Sequence, residues 1–318
     1  MHLTSCLDWY WLAMSNLSPH TRDDYSRTFG RLTAFLGNDA EIEKISHRDI
    51  QRFLAHIETT HHLGRKTLCN AWIALASLWR WANQEINIPN IIAGKISIPA
   101  HSPPIIEPYS ADDIERLLHA CETYAGYDPA NRRTVEAHLP PWRVARNKAI
   151  ILVLFDAGLR RQELADLNIE DYSARNGRLI VRHGKGDKPR TTHVGHTTRR
   201  ALAQYLVHRP DPQPADPLFA DADNSRLNGN SVYTMIARLG KRAGIKNAGC
   251  HRFRHSCATE MLRNGASERA VQALLGHESP EMTRRYAKFV ETDLEHAHEL
   301  ASPVDNRYAK KRTQRTKG

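Results

Sequence analysis

Cys250-His251-Arg252-Phe253-Arg254-His255-Ser256-Cys257 begins the stretch on which the reading of this chain turns. It continues as a helical run to Gly265, then Leu274-Leu275-Gly276-His277, and finally Ser279-Pro280 opening a helix that carries Tyr286. A guanidinium presents a fixed fork of donors to two phosphate oxygens, and an imidazole donates or shuttles a proton near neutral pH. His251, Arg254 and His277 together therefore suit a phosphate diester, and the phenol of Tyr286 reads as the nucleophile.

The same octapeptide admits a second reading. Cys250 and Cys257 flank His251 and His255, which stand one helical turn apart, and such a set is able to hold zinc. Arg252 and Arg254, interleaved with them, repel a cation, so no metal is expected. Five cysteines without regular spacing make no disulfide framework, and Cys6, Cys69 and Cys121 among apolar neighbours read as small core residues.

Two upstream motifs complete the pattern: Ala157-Gly158-Leu159-Arg160-Arg161-Gln162-Glu163-Leu164 and Gly184-Lys185-Gly186. With them the chain resembles the tyrosine recombinases, the family of phage integrases and bacterial Xer recombinases. The resemblance spans nearly the whole chain, with its parts in family order and a nine-residue step from His277 to Tyr286. It implies a catalytic set of Arg160, Lys185, His251, Arg254, His277 and Tyr286, with Glu163 as the buried acid that orients the site. It also implies a mostly α, two-domain fold. An N-terminal helical bundle, the SAM-like core-binding domain, precedes an α+β catalytic domain that is mainly helical with a small antiparallel sheet or hairpin.

Taken without the family, several of these residues have plainer roles. Arg160 is placed for an ion pair with Glu163 or Asp166 at a helix start. A lysine at a hairpin tip is ordinarily solvated, and Lys188 is the alternative to Lys185 because hairpin register is hard to fix from sequence. Arg161 is the less suited of the two adjacent arginines.

Outward from this centre, residues 144–156 form an apolar helix ended by Gly158, which predicts a buried, central element. Residues 178–183 and 190–194 read as two strands around a glycine-containing turn. Helices are expected over 197–208 and 230–243, and Arg238, Lys241 and Arg242 make the second a candidate for lying along a nucleic-acid backbone or groove. Ser110 with Asp113 resembles a capping box for a helix carrying Ile114, Leu117 and Leu118. Residues 123–142, with Gly126, Pro129, Pro140 and Pro141, show little apolar period and read as an insertion relative to compact family members.

Towards the N-terminus, Ser18-Pro19 caps a helix with Tyr25, Phe29, Leu32 and Leu36 at helical spacing. A second helix from Ser46 carries Ile50, Phe53, Leu54 and Ile57, and a third, over 65–84, buries Leu68, Trp72, Leu75 and Trp79. With the segment from Trp9 to Met14 this makes a bundle of four or five short helices. Its basic residues, among them Arg48, Arg52 and Lys66, read equally as solvated surface and as a phosphate-facing surface, and the resemblance favours the second. From Ile86 to Pro108 the helical period breaks at five prolines, which reads as extended linker. The expected division is a bundle over 1–97, a proline-rich linker over 98–108, a catalytic domain over 109–301 and a basic, disordered tail over 302–318.

Composition agrees with a polyanionic partner: 45 Lys and Arg stand against 35 Asp and Glu, with a pI near 9.5. No apolar run reaches the roughly 18 residues that cross a bilayer, and no signal pattern opens the chain, so a cytoplasmic protein is expected.

Arg160 and Arg254 would clamp the non-bridging phosphate oxygens, His277 would add a hydrogen bond, His251 would place or deprotonate the phenol, and Lys185 would protonate the leaving 5′ oxygen. A phenol is a better leaving group than an alkoxide, so the 3′-phosphotyrosyl bond can be reversed by a second strand. No cofactor is needed, and no clustered carboxylates of the two-metal kind occur. The resemblance implies a site-specific recombinase for integration, excision or cointegrate and dimer resolution. It implies passage through a Holliday junction as a homotetramer on two specific DNA sites, with accessory DNA-bending proteins as possible partners. A type IB topoisomerase-like swivelase and a non-catalytic DNA-binding accessory protein are the alternatives.

Overall fold

The computed structural model describes residues 1–100, 106–128, 133–184 and 188–276, with Ser302 and Val304; of 125–128 and 133–136 it describes the backbone. Lys185, His277, Tyr286 and most of the basic tail lie outside the described residues. The chain divides into two compact units, Met1–Ile105 and Ile106–Gly318.

The first unit packs α1 (Leu3–Ala13), α2 (Pro19–Leu36), α3 (His47–Thr60) and α4 (Arg65–Glu85) around one core. Local chemistry sets their starts. Ser18 accepts from the Thr21 amide with Pro19 at the first position of α2, and Ser46 and Asp49 cap each other's amides at α3. Helix α4 alternates Ala71, Ala74 and Ala82 with Leu75, Leu78 and Trp79, all buried, so small residues admit its neighbours closely while large ones fill the gaps. Tyr10 is wholly buried, with its hydroxyl 2.8 Å from Ser77 Oγ.

Three expectations need correction here. Trp72 is half-buried: its ring lies at the edge of the core and Nε1 donates to the Ile96 carbonyl at 3.1 Å. The stretch after Ile86 is not uniformly extended linker, because Ile88, Ile92 and Ile96 are buried in the bundle core. Apolar side chains four residues apart outweigh Pro89, and burial of each contributes about 1.5–3 kcal/mol. Cys6 is buried as expected, whereas Cys69 is only half-buried.

The second unit opens on Tyr109, which is strapped to the segment that decided the reading. Its amide donates to Ser256 Oγ at 2.7 Å, its hydroxyl accepts from the Gly249 amide at 2.9 Å, and the Arg252 guanidinium lies 4.2 Å from its ring centroid. Helix α5 (Ala111–His119) follows, with the expected reciprocal cap between Ser110 and Asp113. The stretch with little apolar period contains β1 (Thr123–Asp128) and β2 (Arg133–His138), a six-pair antiparallel ladder. Gly126, Pro129, Pro140 and Pro141 punctuate the sequence there and obscure its alternation.

Helix α6 (Pro141–Ala157) is the central element, with Ala149, Ile150, Ile151, Val153 and Leu154 wholly buried. Beyond it come α7 (Arg161–Asp166) and a three-stranded antiparallel sheet in the order β3 (Tyr172–Ser173), β4 (Arg178–Val181), β5 (Arg190–His193). The two-residue β3 was too short to leave a pattern in the sequence. Helices α8 (His196–Leu206), α9 (Gly229–Arg242), α10 (Cys250–Arg263) and α11 (Glu268–Leu275) complete the described unit. Among the described residues no helix is long and apolar enough to cross a membrane.

Candidate active site

Three helix ends meet at the centre of the second unit. Helix α6 stops at Gly158, whose φ of 59° lies in the left-handed region, and its amide closes on the Leu154 carbonyl at 3.2 Å. Glycine is required twice over. A Cβ there would fall 2.4 Å from Leu275 Cδ2 and 3.1 Å from Cys257 Sγ. The close approach lets Arg254, on the first turns of α10, reach across both partners. It donates from Nη1 to the Gly158 carbonyl at 2.9 Å and from Nη2 to the Leu275 carbonyl at 2.6 Å. Leu275 ends α11, so the guanidinium sits at the partially negative end of that helix and satisfies one of its last carbonyls. A buried cation is thereby fixed one residue before the turn that leads to His277.

Arg160 follows Gly158 by two residues and serves as the N-cap of α7. Its amide donates to Glu163 Oε2 at 2.8 Å and its Nη1 to Glu163 Oε1 at 2.6 Å. The ion pair named above as the plainer role of Arg160 is thus present. It does not consume the residue, because Arg160 keeps 29% of its side-chain surface exposed while Glu163 keeps 4%. Burial pushes the Glu163 carboxyl up, but Arg190 and Arg160 outweigh it and hold the group down at about 2.

In the sequence Arg190 reads only as the start of a strand. It lies on β5 with a side chain 10% exposed, and donates to both Glu163 oxygens, at 2.8 and 2.7 Å, and to the Leu274 carbonyl at 3.0 Å. A signal was available. Strand alternation puts Arg190 on the same face as the buried Thr192 and Val194, and a cation in register with core positions calls for a buried acid.

His251 opens α10 one turn before Arg254. The ring meets solvent, yet partial desolvation and the charges of Arg254 and Arg160 hold its pKa below the ordinary histidine value. A neutral imidazole beside two guanidiniums is suited to accepting a proton. His255 packs edge to face on it, with centroids 4.8 Å apart. Cys250 and Cys257 are buried, and burial pushes both thiols up, to about 11 and about 12.

The structure therefore brings Arg160, Glu163, His251 and Arg254 together, and Lys185, His277 and Tyr286 lie outside the described residues. The basic positions singled out on the surface lie on other elements. Arg48 and Arg52 on α3 and Lys66 on α4 are exposed, Arg52 standing 3.6 Å from Asp49. On α9, Arg238 and Lys241 are exposed, while Arg242 spends one donor on the Ala120 carbonyl at 2.8 Å. All three line a cleft of about 1080 Å³ that also takes in Arg143 and Asn228.

Comparison with known proteins follows the same division. Residues 109–292 match the phage integrase family, and residues 9–85 match the phage integrase N-terminal SAM-like domain. The chain is 30% identical over 298 residues to the tyrosine recombinase XerC of Rhodospirillum centenum, covering 90% of this chain and 82% of that protein. It is 29% identical over 293 residues to XerC of Pelobacter propionicus, covering 91% of each. In fold it is similar to the Tn1549 transposon integrase in complex with transposon right end DNA, with a TM-score of 0.74 at 17% identity, covering 96% of this chain and 99% of that one. It is also similar in fold to a lambda integrase dimer bound to a COC′ core site, with a TM-score of 0.69 at 19% identity, covering 90% and 95%.

Proposed function

The chain belongs to the phage integrase family, the tyrosine recombinases, and we propose that it cuts and rejoins DNA at specific sites through a 3′-phosphotyrosyl bond to Tyr286. The observation that carries this reading is the pairing of two fixed guanidiniums with a neutral imidazole. Arg254 is held between the ends of α6 and α11, Arg160 is held by Glu163 with part of its surface open, and His251 lies within the field of both. Preorganised cations of this kind stabilise the charge that builds on a crowded phosphorane, and each is worth a few kcal/mol in the transition state.

In the proposed reaction the Tyr286 oxygen attacks the scissile phosphorus as His251 takes its proton. Arg160, Arg254 and His277 hold the non-bridging oxygens, and Lys185 protonates the departing 5′ oxygen. The P–O bond to that 5′ oxygen breaks as the P–O bond to tyrosine forms, so the energy of the linkage is kept. The 5′ hydroxyl of another strand then attacks in reverse, which releases the phenol. The catalytic domain over 109–301 would work with the bundle over 1–97, whose Arg48, Arg52 and Lys66 would add phosphate contacts. Arg238, Lys241 and Arg242 would do so from α9. Four protomers on two DNA sites, passing through a Holliday junction in the cytoplasm, would give exchange rather than swivelling.

The test is covalent trapping on a nicked suicide substrate. Wild type is expected to form a protein–DNA adduct in chelator, and Tyr286→Phe to bind the DNA without forming it. Binding with no adduct from wild type would assign the protein to the non-catalytic class. Relaxation of supercoiled plasmid with no exchange between two sites would make it a swivelase.

A further inference from the structure

Arg190 has no part in the six-residue chemistry just described, yet its donors are committed more fully than those of Arg160. Its two terminal nitrogens grip both oxygens of Glu163, and Nε is spent on the Leu274 carbonyl. A guanidinium has five N–H donors, and these three bonds aim it inward, so it is not arranged to receive a phosphate. What it joins is informative. Glu163 carries Arg160, and Leu274 lies next to Leu275, whose carbonyl carries Arg254. The contact also continues past the end of α11. Gly276 has a φ of 66°, and a Cβ on it would meet Arg190 Cδ at 3.0 Å. The turn towards His277 is thus packed directly on the Arg190 side chain.

We propose that Arg190 is the positioning residue of this site: by clamping Glu163 and the carbonyl end of α11 at once, it keeps Arg160, Arg254 and the turn before His277 in fixed register with β5. The proposal rests on the cleavage chemistry proposed above. Helices and strands drawn from distant parts of the chain share no local restraint, and a misplacement of about 1 Å costs about 100-fold in rate. One side chain that touches β5, α7 and α11 removes that freedom. A lysine would keep the charge but supply no fork, so it would not hold two carboxylate oxygens and a carbonyl together.

The experiment is single-turnover cleavage of the suicide substrate from pH 5 to 9 by wild type, Arg190→Lys and Arg190→Met, with DNA affinity and thermal melting measured on the same full-length proteins. Among the described residues, Glu163 is faced by Arg160 and Arg190 in contact and by Asp166, Asp171, Arg182, His183 and Arg226 around an adjoining cavity. Removing Arg190 takes away the strongest of the influences that oppose burial, so the Glu163 carboxyl rises. Arg190→Met is expected to cleave about 100-fold more slowly with DNA affinity within about twofold of wild type, and to lose activity at a higher pH than wild type as the pH is lowered. Arg190→Lys is expected to cleave about tenfold more slowly with its acid limb unmoved, since the charge remains. A merely structural role would lower melting and affinity without displacing the acid limb. Wild-type rates and limbs in both variants would overturn the proposal while leaving the function standing, whereas the absence of an adduct from wild type would overturn both. Should Arg190→Met fail to fold, Arg190→Lys decides: cleavage at the wild-type rate refutes the clamp.

Discussion

Replacing Gly158 with alanine tests the geometry on which the whole site depends. The backbone there has a φ of 59°, and holding a residue with a Cβ in that region costs about 1–2 kcal/mol. The added methyl would stand 2.4 Å from Leu275 Cδ2 and 3.1 Å from Cys257 Sγ, both in fully packed surroundings, and such overpacking costs about 1–3 kcal/mol. Together the penalty is about 2–5 kcal/mol, and it falls on the contact between α6 and α11. Leu275 is wholly buried, so its side chain has little room to turn aside, and part of the displacement passes to the end of α11, which stretches the 2.6 Å bond from Arg254 to its carbonyl. Hydrogen exchange on the full chain is the assay, with the N-terminal bundle as internal reference. Amides of α10 and the last turn of α6 should lose protection by about 30-fold or more, since about 1.4 kcal/mol is tenfold, while those of α1 to α4 stay unchanged. Adduct formation should fall in parallel. Leu275→Ala removes the clashing Cδ2, so the double variant should be less destabilised than the two single effects added together. Unchanged α10 protection and wild-type adduct yield in Gly158→Ala would refute the reasoning.

The low pKa of Glu163 gives a stability prediction with a definite sign. Its carboxyl is held at about 2 in the folded chain against an ordinary 4.5, so its contribution is complete above about pH 4.5 and is lost as pH falls towards 2. That contribution is on the order of 3 kcal/mol, and urea midpoints of the second unit should fall between pH 5 and 3 in wild type but much less in Glu163→Gln; parallel curves would exclude it. The basic face of α9 is tested by salt. Arg238→Ala and Lys241→Ala should each lower the slope of log affinity against log salt by about 1 on duplex DNA of any sequence, and an unchanged slope would take α9 off the phosphate backbone.

Much of this was legible because it is local. Ser18-Pro19 and Ser110 with Asp113 announce helix starts through bonds made within one turn, and each occurs where the sequence places it. The apolar run ending at Gly158 announced a buried central helix and its left-handed cap for the same reason. Arg160 beside Glu163 was readable as an ion pair across three residues. The ladder of β1 and β2 was not, because Gly126 and Pro129 in that stretch signal turns rather than paired strands. The packing of Ile88, Ile92 and Ile96 was masked by prolines whose helix-breaking effect is local while the burial that overrides it is not.

Residue type and order along the chain were enough to establish which chemical groups this protein holds and which family it belongs to, since a guanidinium, an imidazole and a phenol have their properties wherever they stand. Position was another matter. That Arg254 spans the ends of α6 and α11, and that Arg190 reaches Glu163 across 27 residues and Leu274 across 84, are facts of three-dimensional packing. Those partners are brought together by the shared burial of helices and strands far apart in sequence, and no rule of local spacing encodes which carbonyl a buried cation will find.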